Sequence, residues 1–192
     1  LLVTPYYNKP TQQGIIQHFE KIALSCPEML IYLYNIPGRS VVGISSETTV
    51  KLSKISNIVG VKDATGDLNT PLEIHDLCGK NFDQISGEDS TFLAFLISGG
   101  IGCISVSANL IPKISAKIYN LWKDGKVQEA MKLNHEIYNL NKSLFIETSP
   151  APIKYALSKL SKCKNILRLP LVQVSKETEK KIDISLKKLN LV

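Results

Sequence analysis

The chain has 192 residues, 44% of them hydrophobic, which suits one domain with a sizeable core. Its formal charge of +6 does not signal nucleic-acid binding, because the densest basic group, "KETEKKIDISLKKL" (176–189), interleaves lysines with acids as a solvated helical face does. Cys26, Cys78, Cys103 and Cys163 lie far apart without a CxxC, so neither a disulfide framework nor a zinc knuckle is signalled, and no apolar run approaches the roughly 20 residues that cross a bilayer.

In chain order, short β-branched runs alternate with amphipathic stretches. "LLVT" at the start reads as a strand entered at its first residue. Because Leu1 stands there instead of methionine, a preceding segment is expected and the chain reads as N-terminally truncated. Four further strands are expected at "MLIYLYN", "NIVGVKDA", "FDQIS" and "CISVS", each followed by helical signals. One helix is expected to open with Thr70 as cap, Pro71 in the first turn and Glu73 closing a capping box, and to stop near Gly79. Another follows Ile85 and ends at Ser98-Gly99-Gly100, with the acids of "SGEDS" (86–90) expected to cap it, general acid–base work being the alternative. Beyond the fifth strand the pattern is helical only: Pro112 to about Asp124, "VQEAMKLNHEIYNLNKSLF", "PIKYALSKL", and from about Lys176 onward.

Repeated βα units imply an α/β fold with a parallel sheet. "VTPYYNKPTQQG" after the first strand is no dinucleotide fingerprint, which disfavours an open doubly wound sheet. The expected fold is a (β/α)8 TIM barrel lacking about its first three βα units, with residues 1–125 as the partial barrel and 126–192 as a C-terminal helical domain.

Within "NIVGVKDATGDL" (57–68) an ammonium ends an otherwise apolar strand, where desolvation without a partner is expensive. The pleat sends Gly60, Lys62 and Ala64 to one face and Val59, Val61 and Asp63 to the other. Small neighbours leave room for a reactant beside Lys62 near the strand's carboxyl end, where barrel active sites lie. Shielded from water, such a lysine retains enough neutral amine to form a Schiff base with a carbonyl substrate; simple solvation at a strand end is the alternative. The preceding strand ends in "LYNIPGRS", offering Tyr34 as a proton relay and Arg39 as a carboxylate clamp, and the first offers Tyr6 and Tyr7. His18, His75 and His135 show no ligand spacing, so no metal is expected.

"TPYYNKP", "YNIPGR", "VGVKDATGD", "ISGEDS", "GCISVSAN" and "SPAPIKYAL" resemble successive motifs of the dihydrodipicolinate synthases, pyruvate-dependent class I aldolase-type lyases of lysine (diaminopimelate) biosynthesis. The resemblance runs over nearly the whole chain. It implies condensation of pyruvate with aspartate semialdehyde to 4-hydroxy-tetrahydrodipicolinate, with no cofactor because the imine itself withdraws electrons. By position, Lys62 resembles the imine-forming lysine, Tyr34 the proton-passing tyrosine, and Tyr7 the tyrosine that crosses a dimer interface to complete the relay. Arg39 resembles the residue that holds the semialdehyde carboxylate, Gly87 and Ile104 match positions that line the family's pyruvate pocket, and Tyr6 matches a tyrosine near the family's interface site for lysine feedback. A cytoplasmic homo-oligomer, a dimer of dimers, is implied, with no nucleic-acid or membrane partner.

The family's first three strands, with a threonine pair that binds the pyruvate carboxylate, have no counterpart in these residues. Ser40-Val41 replaces the usual threonine-glycine after Arg39, a change expected to alter that loop, and Ser149 replaces a common asparagine. The same superfamily offers N-acetylneuraminate lyase and keto-deoxy-sugar-acid aldolases as alternatives, against which Arg39 argues. A catalytically incompetent remnant or assembly partner is the alternative of another class.

Overall fold

In the computed structural model, which describes all 192 residues, five strands pair in parallel in the order of the chain. They are β1 (Leu2–Val3), β2 (Ile31–Asn35), β3 (Ile58–Asp63), β4 (Asp83–Ser86) and β5 (Gly102–Cys103). Each is hydrogen-bonded to the next in sequence, so the strand order never reverses. An open doubly wound sheet binds its ligand where the order reverses; an unreversed parallel succession is the wall of a barrel. The outer strands are shorter than their β-branched runs. After Cys103 only the Ile104 N–H continues the ladder, donating to the Ser86 carbonyl at 2.9 Å. Ser105 then accepts from the Ala108 N–H at 2.8 Å and turns the chain into a single 3-10 turn, Ser107–Asn109.

The helices that follow the strands are α1 (Gln12–Ser25), α2 (Pro37–Ser40), α3 (Ser46–Leu52), α4 (Asn69–Cys78) and α5 (Phe92–Ile97). Thr11 caps α1 by accepting from the Gly14 N–H at 3.3 Å. Ile15, Ile16, Phe19 and Ala23 then form its buried stripe, packed with Ile31 and Leu33 of β2, Ile58 and Val61 of β3, Leu52 and Ile74. Burying one such aliphatic or aromatic side chain contributes about 1.5–3 kcal/mol, so the stripe outweighs the roughly 1 kcal/mol that a glycine costs within a helix.

The expected capping box on α4 does not form. The helix starts at Asn69 behind Leu68, and no side chain caps it. The Asp67 carboxylate instead accepts from the Asn69 N–H at 2.9 Å, while the Glu73 carboxylate is taken by the Ser46 hydroxyl of α3 at 2.5 Å. A contact between residues distant in sequence has displaced the local motif. The stop at Gly79 is as expected: its φ is +72° and its N–H donates to the His75 carbonyl at 3.0 Å.

The acids of "SGEDS" do not cap α5 either, since Thr91 occupies the cap without a side-chain bond. Ser86 Oγ accepts from the Glu88 N–H at 3.1 Å, and Glu88 Oε1 accepts from Ser90 N–H and Oγ–H at 3.2 and 2.7 Å. These bonds close a turn ahead of the helix and leave the cap unserved.

Two compact units make up the chain, Leu1–Ile104 and Ser105–Val192. The second is helical: α6 (Pro112–Lys123), α7 (Val127–Ser143), α8 (Ala151–Lys159) and α9 (Lys176–Lys188). Ser175 caps α9, accepting from the Thr178 N–H at 3.3 Å, and Ile182, Ser185 and Leu186 bury the helix against α7 and α8. Ser107 Oγ donates to Asn141 Oδ1 at 2.6 Å inside this unit. All four cysteines are free thiols, and no helix is long and apolar enough to cross a membrane.

Candidate active site

The expected alternation holds in β3 only from Gly60 onward: the register with β2 shifts between Ile31 and Tyr32, so Ile58 shares the core face with Val61, and Val59 is only half-buried. Val61 enters the core under α1. Gly60 faces the other way: a Cβ there would stand 2.7 Å from the Tyr32 ring. Lys62 and Ala64 share that inner face with Gly87, where an added Cβ would lie 3.0 Å from Lys62 Cε and 2.7 Å from Ala64 Cβ. The tighter of these contacts is with Ala64, and a side chain at 87 would also crowd the end of the lysine stem.

Tyr34 is the register partner of Lys62 on β2, and Ile85 is its partner on β4. The Lys62 Nζ lies 4.0 Å from the centre of the Tyr34 ring. A cation over an aromatic face at this distance is held by the ring quadrupole. Tyr34 also lines a cleft of about 410 Å³ with Tyr6, Ile36 and Arg39. Arg39 reaches it from α2, the short helix that begins two residues after β2.

Tyr34 thus belongs to two groupings at the carboxyl ends of neighbouring strands, one with Lys62 beside Gly87 and one with Arg39 and Tyr6 in a cleft that Lys62 does not line. Tyr7 does not join them: it is 85% exposed, sits at φ +71° and is absent from the lining of the cleft. Ile104 follows β5 beside Ser86 and is about half exposed.

A row of outward polar side chains, which sequence reasoning missed apart from Asp63's facing, stands one residue beyond the inner-face pair. Asn35, Asp63 and Ser86 are register neighbours, all buried. Each ties down the loop after its own strand. Asn35 bonds both backbone groups of Ile44, Asp63 Oδ1 accepts from the Thr65 N–H at 2.7 Å, and Ser86 Oγ accepts from Glu88. The only sequence signal was the break in apolar alternation at each strand's end. The Asp63 carbonyl also accepts from the Gly87 N–H at 2.6 Å, which sets Gly87 beside Lys62.

Burial pushes the Asp63 carboxyl up, against the lowering effect of its bonds from Thr65, and its Oδ2 is buried without a hydrogen-bond partner. The Cys103 thiol is pushed up to about 12, first by burial and then by the Asp89 carboxylate. Deeper on the inner face Tyr32 donates to Asp83 across Gly60, and that hydrogen bond holds the phenol above its ordinary value. No group of three or more His, Cys, Asp or Glu side chains is disposed to hold a metal ion.

The loop after Tyr34 is strained at one place. Val41 adopts φ +70°, a conformation that costs a β-branched residue about 1–3 kcal/mol. Ser40 compensates in part: its hydroxyl lies 2.9 Å from the Ile36 carbonyl and 2.8 Å from that of Val42.

The profile of the dihydrodipicolinate synthetase family matches residues 1–189. The chain belongs to this family. Over 192 residues it is 44% identical to the 4-hydroxy-tetrahydrodipicolinate synthase of Gluconobacter oxydans (strain 621H), covering all of this chain and 64% of that protein. A chloride-inhibited dihydrodipicolinate synthase from Acinetobacter baumannii, solved in complex with pyruvate, superposes with a TM-score of 0.95 at 39% identity, over 100% of this chain and 65% of that one. The enzyme from Cyanidioschyzon merolae with lysine bound gives a TM-score of 0.95 at 34% identity, over 99% and 64%. The chain therefore spans just under two thirds of the length of the relatives it matches, and over that span its αβ wall and helical carboxyl-terminal portion share the family's fold.

Proposed function

We propose that this chain carries the reacting face of a lyase that condenses pyruvate with aspartate semialdehyde to 4-hydroxy-tetrahydrodipicolinate, in lysine biosynthesis. The reading is carried by one observation, the Lys62 nitrogen against the Tyr34 ring at the ends of adjacent strands, with Arg39 in the cleft that Tyr34 lines. Pyruvate bound to the Acinetobacter relative supports the first substrate.

In this mechanism the neutral Lys62 amine adds to the keto carbon of pyruvate, and loss of water gives the imine. Its positive nitrogen draws electrons from the methyl carbon, which gives up a proton and becomes the nucleophilic end of an enamine. That carbon bonds to the aldehyde carbon, and the aldehyde oxygen takes up a proton. The semialdehyde's own amine then displaces Lys62 from the imine carbon, closing the ring and freeing the lysine. Tyr34 moves the protons, and Arg39 holds the semialdehyde carboxylate in two parallel hydrogen bonds. Gly87 and Ile104 border the pyruvate pocket.

Tyr7 acts in a neighbouring subunit of a homotetramer, a role that its exposure supports. Tyr6 belongs to a lysine-feedback site, for which lysine bound to the Cyanidioschyzon relative is the support. The compartment is the cytoplasm, and residues 1–125 and 126–192 are the barrel portion and the helical domain. Reductive trapping tests the central step: borohydride added with pyruvate should fix an adduct on the protein, seen by mass spectrometry, and Lys62→Ala should abolish it. An adduct that persists in the variant rules out the assigned amine.

A further inference from the structure

The loop that carries Arg39 is gripped at its far end by two carboxamides. Asn35, 4% exposed at the end of β2, donates Nδ2–H to the Ile44 carbonyl at 3.1 Å and accepts from the Ile44 N–H at 3.0 Å. Gln12, at the start of α1, donates Nε2–H to the Gly43 carbonyl at 2.9 Å and accepts from the Ser45 N–H at 3.1 Å. Four backbone groups on three consecutive residues are thus paired by two side chains. A carboxamide presents a donor and an acceptor in one plane, as a backbone strand does, so each works as a short ladder rung.

Gly43 makes the grip close: a Cβ there would meet Asn35 Oδ1 at 3.3 Å. Immediately after the clamp Ser45 caps α3, accepting from the Thr48 N–H at 3.2 Å, which anchors the segment to a rigid helix. Between β2 and the clamp lie only Ile36, α2, the strained Val41 and Val42. With its root fixed by β2 and its end by the clamp, this arm has little freedom left, and Arg39 stands near its middle.

We propose that Gln12 and Asn35 are positioning residues that hold the 36–45 arm so that Arg39 stays in the Tyr34 cleft, setting affinity for the carboxylate-bearing aldehyde. Because Gln12 opens the helix that follows Tyr6 and Tyr7, the same clamp joins the loop after β1 to the loop after β2. The consequence for substrate rests on the reading of Arg39 under Proposed function; the control of the arm does not.

The test uses the complete encoded protein with Gln12→Ala, a substitution at a half-buried helix start that spares the core, and Asn35→Ala beside it. Hydrogen exchange is followed at the amides of Ile44, Ser45 and Arg39, the last of which donates to the Ile36 carbonyl at 2.9 Å. In Gln12→Ala exchange should quicken about tenfold or more at Ser45 and measurably at Arg39, with β3 unchanged. The KM for aspartate semialdehyde should rise about tenfold, with the KM for pyruvate unmoved and no further rise when Gln12→Ala is added to Arg39→Ala. Gln12→Glu, which keeps the acceptor for Ser45, should recover part of both effects. Unchanged exchange at Arg39 overturns the arm, and quickened exchange with an unchanged aldehyde KM overturns the positioning role. If the unsubstituted protein traps no pyruvate, the proposed function falls by itself, and exchange at Arg39 still decides the arm.

Discussion

Tyr34 and Lys62 are register partners on adjacent parallel strands, and the lysine nitrogen lies 4.0 Å from the centre of the tyrosine ring. Register on one face makes this pairing: the two-residue pleat that sends Leu33 and Val61 into the core turns their successors inward together. A slip of one residue in β3 would turn the lysine toward the helices, and a slip in β2 would turn the tyrosine there.

Tyr34→Phe keeps the ring under the ammonium and removes only the phenol. The variant is expected to trap pyruvate with borohydride as the parent does, while turnover falls about a hundredfold. Trapping by mass spectrometry and a steady-state assay of the complete protein separate the two effects. Equal turnover would remove Tyr34 from the proton path.

Gly87→Ala is expected to displace the lysine stem, because the new Cβ would lie 3.0 Å from Lys62 Cε and 2.7 Å from Ala64 Cβ. Overpacking of this kind costs about 1–3 kcal/mol of stability, and adduct formation should fall with it. Adding Ala64→Gly removes the tighter contact and should restore part of both. Thermal unfolding and trapping rates on the single and double variants check the pair.

Asp63 links stability to pH. Burial raises its folded-state value above the unfolded one, so its contribution is full below the unfolded value and is lost as pH rises through the folded one. Asp63→Asn, which keeps an oxygen for Thr65 and carries no charge, should therefore gain on the parent as pH is raised from about 3.5 to 7. Melting curves across that range test the sign; a gap that closes with rising pH contradicts it.

The thiols should react in order of exposure and charge. Cys163 is exposed, whereas Cys103 has its thiol pushed up to about 12 and remains protonated at mild alkaline pH. Iodoacetamide at about pH 8, followed by peptide mapping, should label Cys163 first and Cys103 last. Early labelling at Cys103 would mean that β5 opens readily.

Much of the fold was legible because its signals are local. Five β-branched runs became five strands, and the alternation in "VGVKDA" placed Lys62 opposite Val61 without any knowledge of the neighbours. Local signals failed where a distant group competed. Thr70 and Glu73 spell a capping box, yet Ser46, 27 residues away, takes the glutamate. Asn35 reads as one more residue of a tyrosine motif until Ile44 folds back onto it.

The sequence by itself determined the βα succession, the inner face that Lys62 occupies, and the nearness of Tyr34 and Arg39 to one strand end, since periodicity and short spacing are properties of the chain. Only the tertiary structure decided that Tyr6 and not Tyr7 lines the cleft with Arg39, that Gly87 is the residue making room for the lysine, and that Gln12 reaches across 31 and 33 residues to hold the arginine's loop. These depend on which loops meet above the strand ends, and a hydrogen bond between segments so far apart exists only once the sheet has set its register.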